Sequence, residues 1–354
     1  MKVLVIQQKM IGDVLASTVI CESIKHHFPE ALVHFVANEN TLPVLLNNPF
    51  IDEVFVFKKH YRDSKFAFYT FLRSFKTTEY YAVIDAYGKL ESNLISYFAK
   101  STIKIANHKW YSNWVYTHTV RQTRVPNGKS PLSVSNRLLL LDPLVPDTSF
   151  VTYPKLYLTQ EETEKGRKTV NKLKDHPDQK MIMISVLGSA AHKTYPGNYM
   201  AEVLQQVCQG HDVKLLFNYL PEQKTKAHEI YELCDNATQK KIAIDFYATS
   251  LRDFIVVVSQ CHFLLGNEGG AVNMAKALNT PTFCIFSPFI LKGAWHTDAD
   301  TLHSSVHLRD YRPELFGNMK KTQLKEESLK LYEAFSPELF KDVLSKFIDQ
   351  NLTS

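Results

Sequence analysis

Short apolar segments alternate with helix-length amphipathic segments along most of the chain, and this alternation limits the folds that the chain can adopt. The predicted strands of the first half are residues 3–6, 33–37, 54–57 and 82–85. The longest predicted helix between them covers residues 14–27. The pattern restarts after Asp178, with one predicted strand at KMIMISV and others over residues 212–217, 241–244, 262–265 and 282–286. Because parallel strands joined by crossover helices have this order, the sequence predicts an α/β protein with two doubly wound parallel sheets.

A polar, proline-containing stretch over residues 121–159 separates the two series of strands. The length of 354 residues also suits two α/β domains better than one core. We therefore predict a first Rossmann-like domain over residues 1–160 and a second over residues 161–330. The remaining segment, 331–354, contains SPELFKDVLSKFID, in which a capping serine and a proline precede a helix with one apolar face. We expect this terminal helix to pack back on the first domain.

Composition excludes several classes of protein. The five cysteines include no C-x-x-C pair, so neither a zinc site nor a disulfide framework is indicated, and buried free thiols are expected. No run of 18 apolar residues occurs, and Met1-Lys2 leads directly into the first strand without a leader peptide. We therefore expect a cytoplasmic protein, with no metal and no cofactor.

The net charge of +5 is unevenly distributed, because residues 92–141 contain no Asp or Glu. The basic residues of this window are Lys100, Lys104, Lys109, Arg121, Arg124, Lys129 and Arg137, and Trp110, Tyr111, Trp114 and Tyr116 lie among them. Residues 58–76 are similarly basic. A solvated basic face is one interpretation, and a surface for nucleic acid, a phosphorylated glycolipid or an anionic membrane is the other. No known nucleic-acid motif is present, so we expect no nucleic-acid partner.

The segment CHFLLGNEGGAVNMAKALNTPTFCIFSP carries the strongest chemical signal, since it reads as strand, glycine-rich turn, helix, turn and strand. Gly269 and Gly270 place bare backbone N–H groups at the start of a helix, which favours an anion such as a diphosphate. Glu268 stands beside them and can accept hydrogen bonds from hydroxyl groups. A tight turn that simply needs glycine is the alternative interpretation.

Two further segments place polar groups after strands. In SVLGSAAHKTYPG, a strand ends at Gly188-Ser189 and Lys193 follows four residues after the serine, so that a hydroxyl and an ammonium group can bind phosphate oxygens. In FNYLPEQ, Glu222 opens a helix, where it can hold the hydroxyls of a ribose or act only as a favourable first-turn charge.

Together these segments resemble glycosyltransferase family 9, the ADP-heptose:lipopolysaccharide heptosyltransferases and their relatives. The resemblance covers most of the chain and rests on the G-D-V-L run at residues 12–15, the G-N-E-G-G-A-V-N-M-A run at 266–275 and the N-T-P turn that follows. It implies a GT-B fold, with two Rossmann-like domains facing across a cleft. It also implies an inverting, metal-independent enzyme that transfers a sugar from a nucleotide-diphosphate donor to a lipopolysaccharide or related acceptor.

The resemblance assigns the catalytic roles. Asp13 is the implied general base that takes the proton of the acceptor hydroxyl, whereas a helix N-cap is the alternative reading of the residues alone. Lys193 is the implied group that stabilises the departing diphosphate, assisted by Ser189 and the helix start at Gly270. The donor-binding residues that follow are Gly188, Ser189, Glu222, Glu268, Gly269, Gly270 and Asn273.

The acceptor is expected to be an anionic glycolipid or oligosaccharide that docks on the acid-free window of the first domain. We assign its binding to Lys100, Lys104 and Lys109, and we expect peripheral contact with the inner membrane face.

This chain departs from the family pattern at two places. Glycine-rich runs of the family read D-T/S-G-x-x-H, whereas this chain has Glu268 at the first position and Asn273 in place of the histidine. The T-T-x-x-x-K loop of the family appears here as Gly188, Ser189 and Lys193, so a threonine is missing. The donor sugar therefore stays open, with ADP-heptose as one candidate. A nucleotide-sugar epimerase on the same fold and a non-catalytic nucleotide- or glycan-binding protein are the other hypotheses, whereas a dehydrogenase is disfavoured because the first strand lacks its glycines.

Overall fold

The computed structural model describes residues 1–125, 128–148, 151 and 153–352 and divides into two compact units, Met1–Tyr157 and Leu158–Ser354. The helices and strands of the first unit are β1 (Lys2–Ile6), α1 (Ile11–His27), β2 (Leu32–Asn38), β3 (Glu53–Phe57), α2 (His60–Asp63), α3 (Lys65–Ser74), β4 (Ala82–Asp85), α4 (Leu90–Phe98), β5 (Ile103–Asn107), β6 (His118–Val120) and α5 (Leu132–Leu138). Short 3-10 helices lie at Glu39–Val44, Asn113–Val115 and Leu139–Leu141.

The six strands of the first unit form one parallel sheet in the order β3-β2-β1-β4-β5-β6. The chain first moves outward from β1 to β3 and then returns to β4 on the other side of β1. The order therefore reverses between β1 and β4, where Ile6 pairs with Asp85. Ligands of open α/β sheets bind beyond the carboxyl ends of the strands at such a reversal.

The sequence explains why β1 and α1 form the centre of this unit. The β-branched and apolar residues of β1 are buried from Val3 to Ile6, as expected for a central parallel strand. In α1, apolar side chains such as Val14, Leu15 and Val19 are fully buried. The helix ends at His27, shortly before Pro29, which cannot continue a helix. The first turn of α1 is thereby fixed directly beyond the end of β1.

The elements of the second unit are α6 (Gln160–Leu173), β7 (Lys180–Ser185), α7 (Gly197–Cys208), β8 (Val213–Asn218), α8 (Lys224–Leu233), α9 (Asn236–Lys241), α10 (Leu251–Val258), β9 (Phe263–Asn267), α11 (Gly270–Ala277), β10 (Thr282–Ile285), β11 (His303–Val306), α12 (Leu308–Tyr311), α13 (Lys321–Glu326), α14 (Ser328–Glu333) and α15 (Lys341–Leu352). Its 3-10 helices lie at Ala191–Lys193, Pro221–Gln223, Lys292–Ala294, Pro313–Leu315 and Pro337–Phe340.

The second sheet is also parallel, in the order β11-β10-β9-β7-β8. Here the chain moves from β7 to β8 and then returns to β9 on the other side of β7. The reversal therefore lies between β7 and β9, where Ser185 pairs with Gly266. A Cβ atom on Gly266 would overlap the carbonyl oxygen of Ser185, and its φ of +132° is one that other residues rarely adopt.

The C-terminal helix α15 differs from the expectation. The ring of Phe347 lies 5.2 Å from that of Phe263 and 5.5 Å from that of Phe283, and Leu344 and Ile348 are buried in the same apolar core. The apolar face of α15 therefore completes the core of the second unit rather than covering the first, because the rings of β9 and β10 already provide its packing partners. The boundary between the units, at residues 157 and 158, lies close to the predicted one.

Three strands were absent from the sequence-based assignment, β5, β6 and β11, and one assigned strand was wrong. Residues 241–244 form the end of α9 and a single isolated bridge between Ile242 and Leu215. All five cysteines are buried free thiols, as predicted. No helix in the described part of the chain is both long and apolar enough to cross a bilayer.

Candidate functional site

Asp13 lies in the first turn of α1 and is bound by an arginine from α5. Nη2 of Arg137 donates to Oδ1 of Asp13 at 2.7 Å, and the exposed fractions of the two side chains are 13% and 38%. Nε of Arg137 also donates to Oγ of Ser17 at 2.7 Å. That hydroxyl in turn donates to the backbone carbonyl of Asp13 at 2.8 Å. Arg137 therefore fixes both the carboxylate and the helical turn that carries it.

The helix N-cap is Met10, so the alternative reading of Asp13 as a cap is wrong. Asp13 occupies the third helical position, and no side chain among the described residues bonds to its Oδ2. One carboxylate oxygen is thus held by a guanidinium while the other is open. This arrangement suits removal of a proton from a hydroxyl that docks beside the helix.

Asp85 ends β4 next to β1 and organises the neighbouring turn. Its Oδ1 accepts from the backbone N–H groups of Tyr87 and Gly88 at 2.9 and 2.7 Å, and its Oδ2 accepts from the hydroxyl of Tyr116 at 2.6 Å. Burial raises the pKa of Asp85, opposed by these hydrogen bonds. Both of its carboxylate oxygens are bound by groups of the protein, so we assign Asp85 a structural role. Tyr116, one of the aromatic residues of the basic window, is therefore buried and not part of a surface.

The three lysines assigned to the acceptor do not lie together. Lys100 precedes β5 at its amino end and forms an ion pair with Glu79 at 3.3 Å. Nζ of Lys104, in the first half of β5, donates to the carbonyl of Tyr97 at 3.2 Å, and burial lowers the pKa of Lys104. Lys109 follows the opposite end of the strand, where its Nζ donates to the carbonyl of Gly88. Only Lys109 is therefore at the carboxyl edge of the sheet, where Asp13 also lies.

A pocket of about 410 Å³ opens at this carboxyl edge. Its lining residues are Ala86, Tyr87, Asn107, His108, Lys109, Arg121 and Gln122. Burial raises the pKa of Tyr87, with further contributions from the carboxylates of Glu91 and Asp13 and an opposing one from Arg62. The wall of this basic pocket is thus within electrostatic reach of Asp13.

In the second unit, the loops after β7 and β9 meet in an ion pair. Nζ of Lys193 lies 3.2 Å from Oε1 of Glu268, and the exposed fractions of the two side chains are 27% and 7%. Nζ also lies 5.9 Å from the centre of the Phe289 ring. Lys193 is therefore the more accessible member of this pair, because Glu268 is almost buried.

Asn267, the last residue of β9, ties these loops together. Its Oδ1 accepts from the backbone N–H of Tyr195 at 2.7 Å, and its Nδ2 donates to the carbonyls of Ser185 and Val186, each at 2.9 Å. Gly188 must be glycine, because a Cβ atom there would overlap the backbone carbonyl of Lys193. The loop that carries Lys193 is thus fixed from both of its ends.

The remaining donor candidates lie at the same edge of the sheet. Gly269 is the N-cap of α11, has a φ of +155° and contributes no side-chain cap, so the first N–H groups of the helix from Gly270 onward have no side-chain partner there. Asn273 lies in the next turn, without a side-chain hydrogen bond to any described residue. Ser189 is exposed in the loop after β7.

Glu222 lies at the same edge of the second sheet, where the adjacent residue Gln223 contacts the loop after β7. It is exposed in the 3-10 helix Pro221–Gln223 after β8, and Nε2 of Gln223 donates to the carbonyl of Gly188 at 2.8 Å. The ends of β7, β8 and β9 therefore contribute all the predicted donor residues to one edge. No group of three or more His, Cys, Asp or Glu side chains within the described ranges is placed to hold a metal ion.

Sequence reasoning missed three residues that organise the two edges. The sequence identified Arg137 only as a basic residue of the acid-free window. Nothing in its local pattern indicates a contact with Asp13, which lies 124 positions earlier. Asn267 and Gln223 could have been found, since each is a polar side chain directly beside a predicted site residue at the end of a strand or the start of a helix.

Comparison with known proteins gives a consistent result. Residues 68–290, more than half of the chain, match the model of glycosyltransferase family 9 (heptosyltransferase). Lipopolysaccharide heptosyltransferase 1 of Campylobacter coli is 26% identical in an alignment of 303 residues that covers 81% of this chain and 84% of that protein.

Solved structures show the same fold. A family 9 glycosyltransferase of Veillonella parvula has a TM-score of 0.73 at 17% identity and covers 96% of this chain and 97% of its own. The E. coli ADP-heptose lipopolysaccharide heptosyltransferase II has a TM-score of 0.68 at 16% identity, with coverages of 95% and 99%.

Proposed function

Since this chain belongs to glycosyltransferase family 9 and has the GT-B fold, we propose that it is an inverting, metal-independent transferase acting on a lipopolysaccharide-type acceptor. The observation that carries the proposal is the convergence of Lys193, Glu268 and the open start of α11 at the reversal point of the second sheet. A cation beside unpaired helix N–H groups is suited to the diphosphate of a nucleotide sugar.

The donor is a nucleoside-diphosphate sugar bound by the second unit. Its diphosphate lies between the start of α11 and Lys193, with the hydroxyl of Ser189 as a further ligand. Glu222 accepts hydrogen bonds from the ribose hydroxyls, and Glu268 and Asn273 contact the sugar. ADP-heptose is the first donor to test, because a structural neighbour is named for it.

Asp13 is the general base of the transfer. Its open Oδ2 takes the proton of the acceptor hydroxyl while the hydroxyl oxygen forms a bond to the anomeric carbon. The bond from that carbon to the diphosphate oxygen breaks in the same step, and the electron pair leaves with the diphosphate. A single displacement from the opposite face inverts the anomeric configuration.

Lys193 acts on the leaving group. Negative charge grows on the diphosphate oxygen as the bond breaks, so an ammonium group there stabilises the transition state more than the bound donor. Glu268 neutralises Lys193 before the donor arrives and holds its Nζ at this edge. No metal ion is needed in this scheme, because the lysine and the helix N–H groups supply the compensating charge.

The acceptor is an anionic glycolipid or its oligosaccharide, bound by the first unit. The basic pocket with His108, Lys109 and Arg121 lies at the same edge as Asp13 and can bind its phosphate or carboxylate groups. Lys100, at the opposite end of β5, takes no part. The protein is cytoplasmic and works in peripheral contact with the membrane that contains the acceptor.

The test is release of nucleoside diphosphate from a panel of nucleotide sugars, measured with and without a lipopolysaccharide core oligosaccharide. Acceptor-dependent release in the presence of a chelator is expected. Turnover of the donor without acceptor would favour an epimerase, and nucleotide binding without turnover would indicate a binding protein. With the same assay, Arg121→Gln should raise the acceptor KM, whereas Lys100→Gln, its matched control, should not change it.

A further inference from the structure

A continuous row of aromatic side chains crosses the surface of the first unit. The ring of Tyr69 on α3 lies 6.0 Å from that of Phe98 on α4, Phe98 lies 5.9 Å from Tyr97, and Tyr97 lies 5.8 Å from Trp114. Trp114 is 74% exposed, and Tyr69 and Tyr97 are also exposed. These contacts join α3, α4 and the loop after β5 into one surface, which we name the aromatic face.

The aromatic face extends to further exposed apolar side chains. Leu90 lies two helical turns before Tyr97 on the same side of α4, and Trp110 is 87% exposed in the loop that also carries Trp114. Lys109, next to Trp110, holds this loop against the start of α4 through the carbonyl of Gly88. A large apolar patch of this kind marks an interaction site, because soluble proteins rarely leave one uncovered.

Unpaired positive charges surround the aromatic face. Residues 58–141 contain 14 Lys and Arg but only four acidic residues. Of these four, Asp85 is buried, Glu79 pairs with Lys100, and Glu91 pairs with Arg62. The exposed basic residues with no carboxylate partner among the described residues include Lys65, Arg73, Lys76 and Lys89. Nζ of Lys76 lies 4.8 Å from the centre of the Phe98 ring, so charge and aromatic surface are interleaved.

This combination favours an anionic bilayer as the occupant. Tryptophan and tyrosine partition to the level of lipid headgroups, leucine enters the acyl region, and lysine and arginine bind anionic headgroups. A second copy of this surface would bring two strongly basic faces together, which is unfavourable. Single-stranded nucleic acid uses basic and aromatic groups but gains nothing from an exposed leucine such as Leu90.

We propose that the aromatic face docks the first unit on an anionic phospholipid membrane, with the side chains of Trp110 and Trp114 inserted at the headgroup level. This inference extends the proposed function, since it rests on an acceptor that is anchored in a membrane. The loop that carries both tryptophans begins at the rim of the basic pocket beside Lys109. Docking therefore places the mouth of this pocket at the height of a glycolipid headgroup and leaves its sugars within reach of Asp13.

Tryptophan fluorescence provides the test, because two of the three tryptophans of the chain lie on the aromatic face. The full chain is mixed with vesicles of phosphatidylglycerol and acyl-brominated phosphatidylcholine that contain neither donor nor acceptor. We expect bromine quenching of the wild-type protein and co-sedimentation with these vesicles but not with phosphatidylcholine alone. Trp110→Ser with Trp114→Ser should lose both signals.

Three further variants separate docking from general effects. Leu233→Ser with Leu329→Ser removes exposed apolar side chains from the second unit and should leave vesicle binding unchanged. Lys76→Gln and Lys89→Gln should each weaken binding about fivefold, since one lysine near an anionic surface contributes about that factor. Circular dichroism checks that every variant is folded.

Three results would overturn the proposal. They are equal binding to neutral vesicles, quenching that survives in the double tryptophan variant, and no vesicle binding at all. A single-stranded oligonucleotide provides a further comparison. If it binds the aromatic face while vesicles cause no quenching, the surface would be assigned to nucleic acid instead. If vesicles cause no quenching but the wild-type protein dimerises with increasing concentration and the double tryptophan variant does not, the surface would be assigned to a second copy of the chain. None of these results involves sugar transfer, so failure of docking and failure of the proposed transferase activity are distinguishable.

Discussion

At the scale of single residues, Asp13 has one carboxylate oxygen bound to Arg137, and no side chain among the described residues bonds to the other. Asp13→Asn keeps the size of the side chain but cannot accept a proton at physiological pH. We expect turnover to fall by about 10²- to 10⁴-fold, the usual contribution of a general base, with nucleotide binding measured by calorimetry unchanged. A variant with near wild-type turnover would mean that Asp13 serves only as a first-turn charge of α1.

Arg137 positions the base and does not contact the reacting atoms in this account. Arg137→Ala removes the bonds to Asp13 and Ser17 and should lower turnover by up to about 10²-fold, because a carboxylate that moves by an ångström loses its alignment. Added guanidinium ion should restore part of the activity of this variant but none of that of Asp13→Asn. Arg62→Ala, which breaks another arginine–carboxylate pair of the same unit, is the control. Absence of rescue would argue that Arg137 matters only for folding.

Lys193→Ala tests the leaving-group role. Turnover with saturating acceptor should fall more than the calorimetric affinity for intact donor, because the charge that Lys193 compensates grows as the bond breaks. Lys165→Ala, which removes an exposed ion-paired lysine from the same unit, should change neither quantity. The assigned role is wrong if turnover is unaffected or if magnesium proves essential for activity.

At the scale of elements, Asn267 connects two strands and the loop that carries Lys193. Asn267→Ala leaves one N–H and two carbonyl groups without their partner, and each buried group costs about 1–3 kcal/mol when unpaired. We expect the free energy of unfolding, measured in denaturant, to fall by at least about 2 kcal/mol.

Asn273→Ala in the following helix is the matched comparison. Its side chain makes no hydrogen bond within the described part of the chain, so stability should hardly change while donor affinity decreases. Equal stability of the two variants would show that Asn267 does not hold the donor loop.

The same scale shows how far the sequence predicts the fold. The centres of both sheets were predictable, because strands such as β1 and β7 are continuous apolar runs bounded by clear turns. The strands β5 and β6 lie near the edge of the first sheet and carry polar residues, so their pattern is weak. The packing of α15 could not be inferred, since an apolar face specifies that a helix is covered but not by which domain.

The candidate site divides in the same way. The sequence places the proposed donor residues after strands, and the structure brings them to one edge because the carboxyl ends of parallel strands converge there. The three acceptor lysines were assigned by their charge alone. Since β5 was not predicted, the sequence did not show which end of that strand each lysine would occupy. Lys100 and Lys109 consequently lie at opposite ends of that strand.

At the scale of the whole molecule, we propose that the first unit removes the proton and that the second stabilises the leaving group. In the proposed mechanism, Asp13 with Arg137 forms one half of the machinery, and Lys193 with the start of α11 forms the other. This division would explain why the first strand is followed by an acid instead of a glycine-rich phosphate loop, because the proposal places the nucleotide on the second unit. It also predicts a reaction in which one displacement joins the two substrates directly.

The anomeric configuration of the first product tests this claim most directly. The chain is incubated with a nucleotide sugar of known anomeric configuration, a core oligosaccharide and a chelator, and the new glycosidic bond is assigned by nuclear magnetic resonance before equilibration. We expect full activity with the chelator and a product whose anomeric configuration is opposite to that of the donor. Retention of configuration, or loss of activity on removal of metal ions, would contradict it.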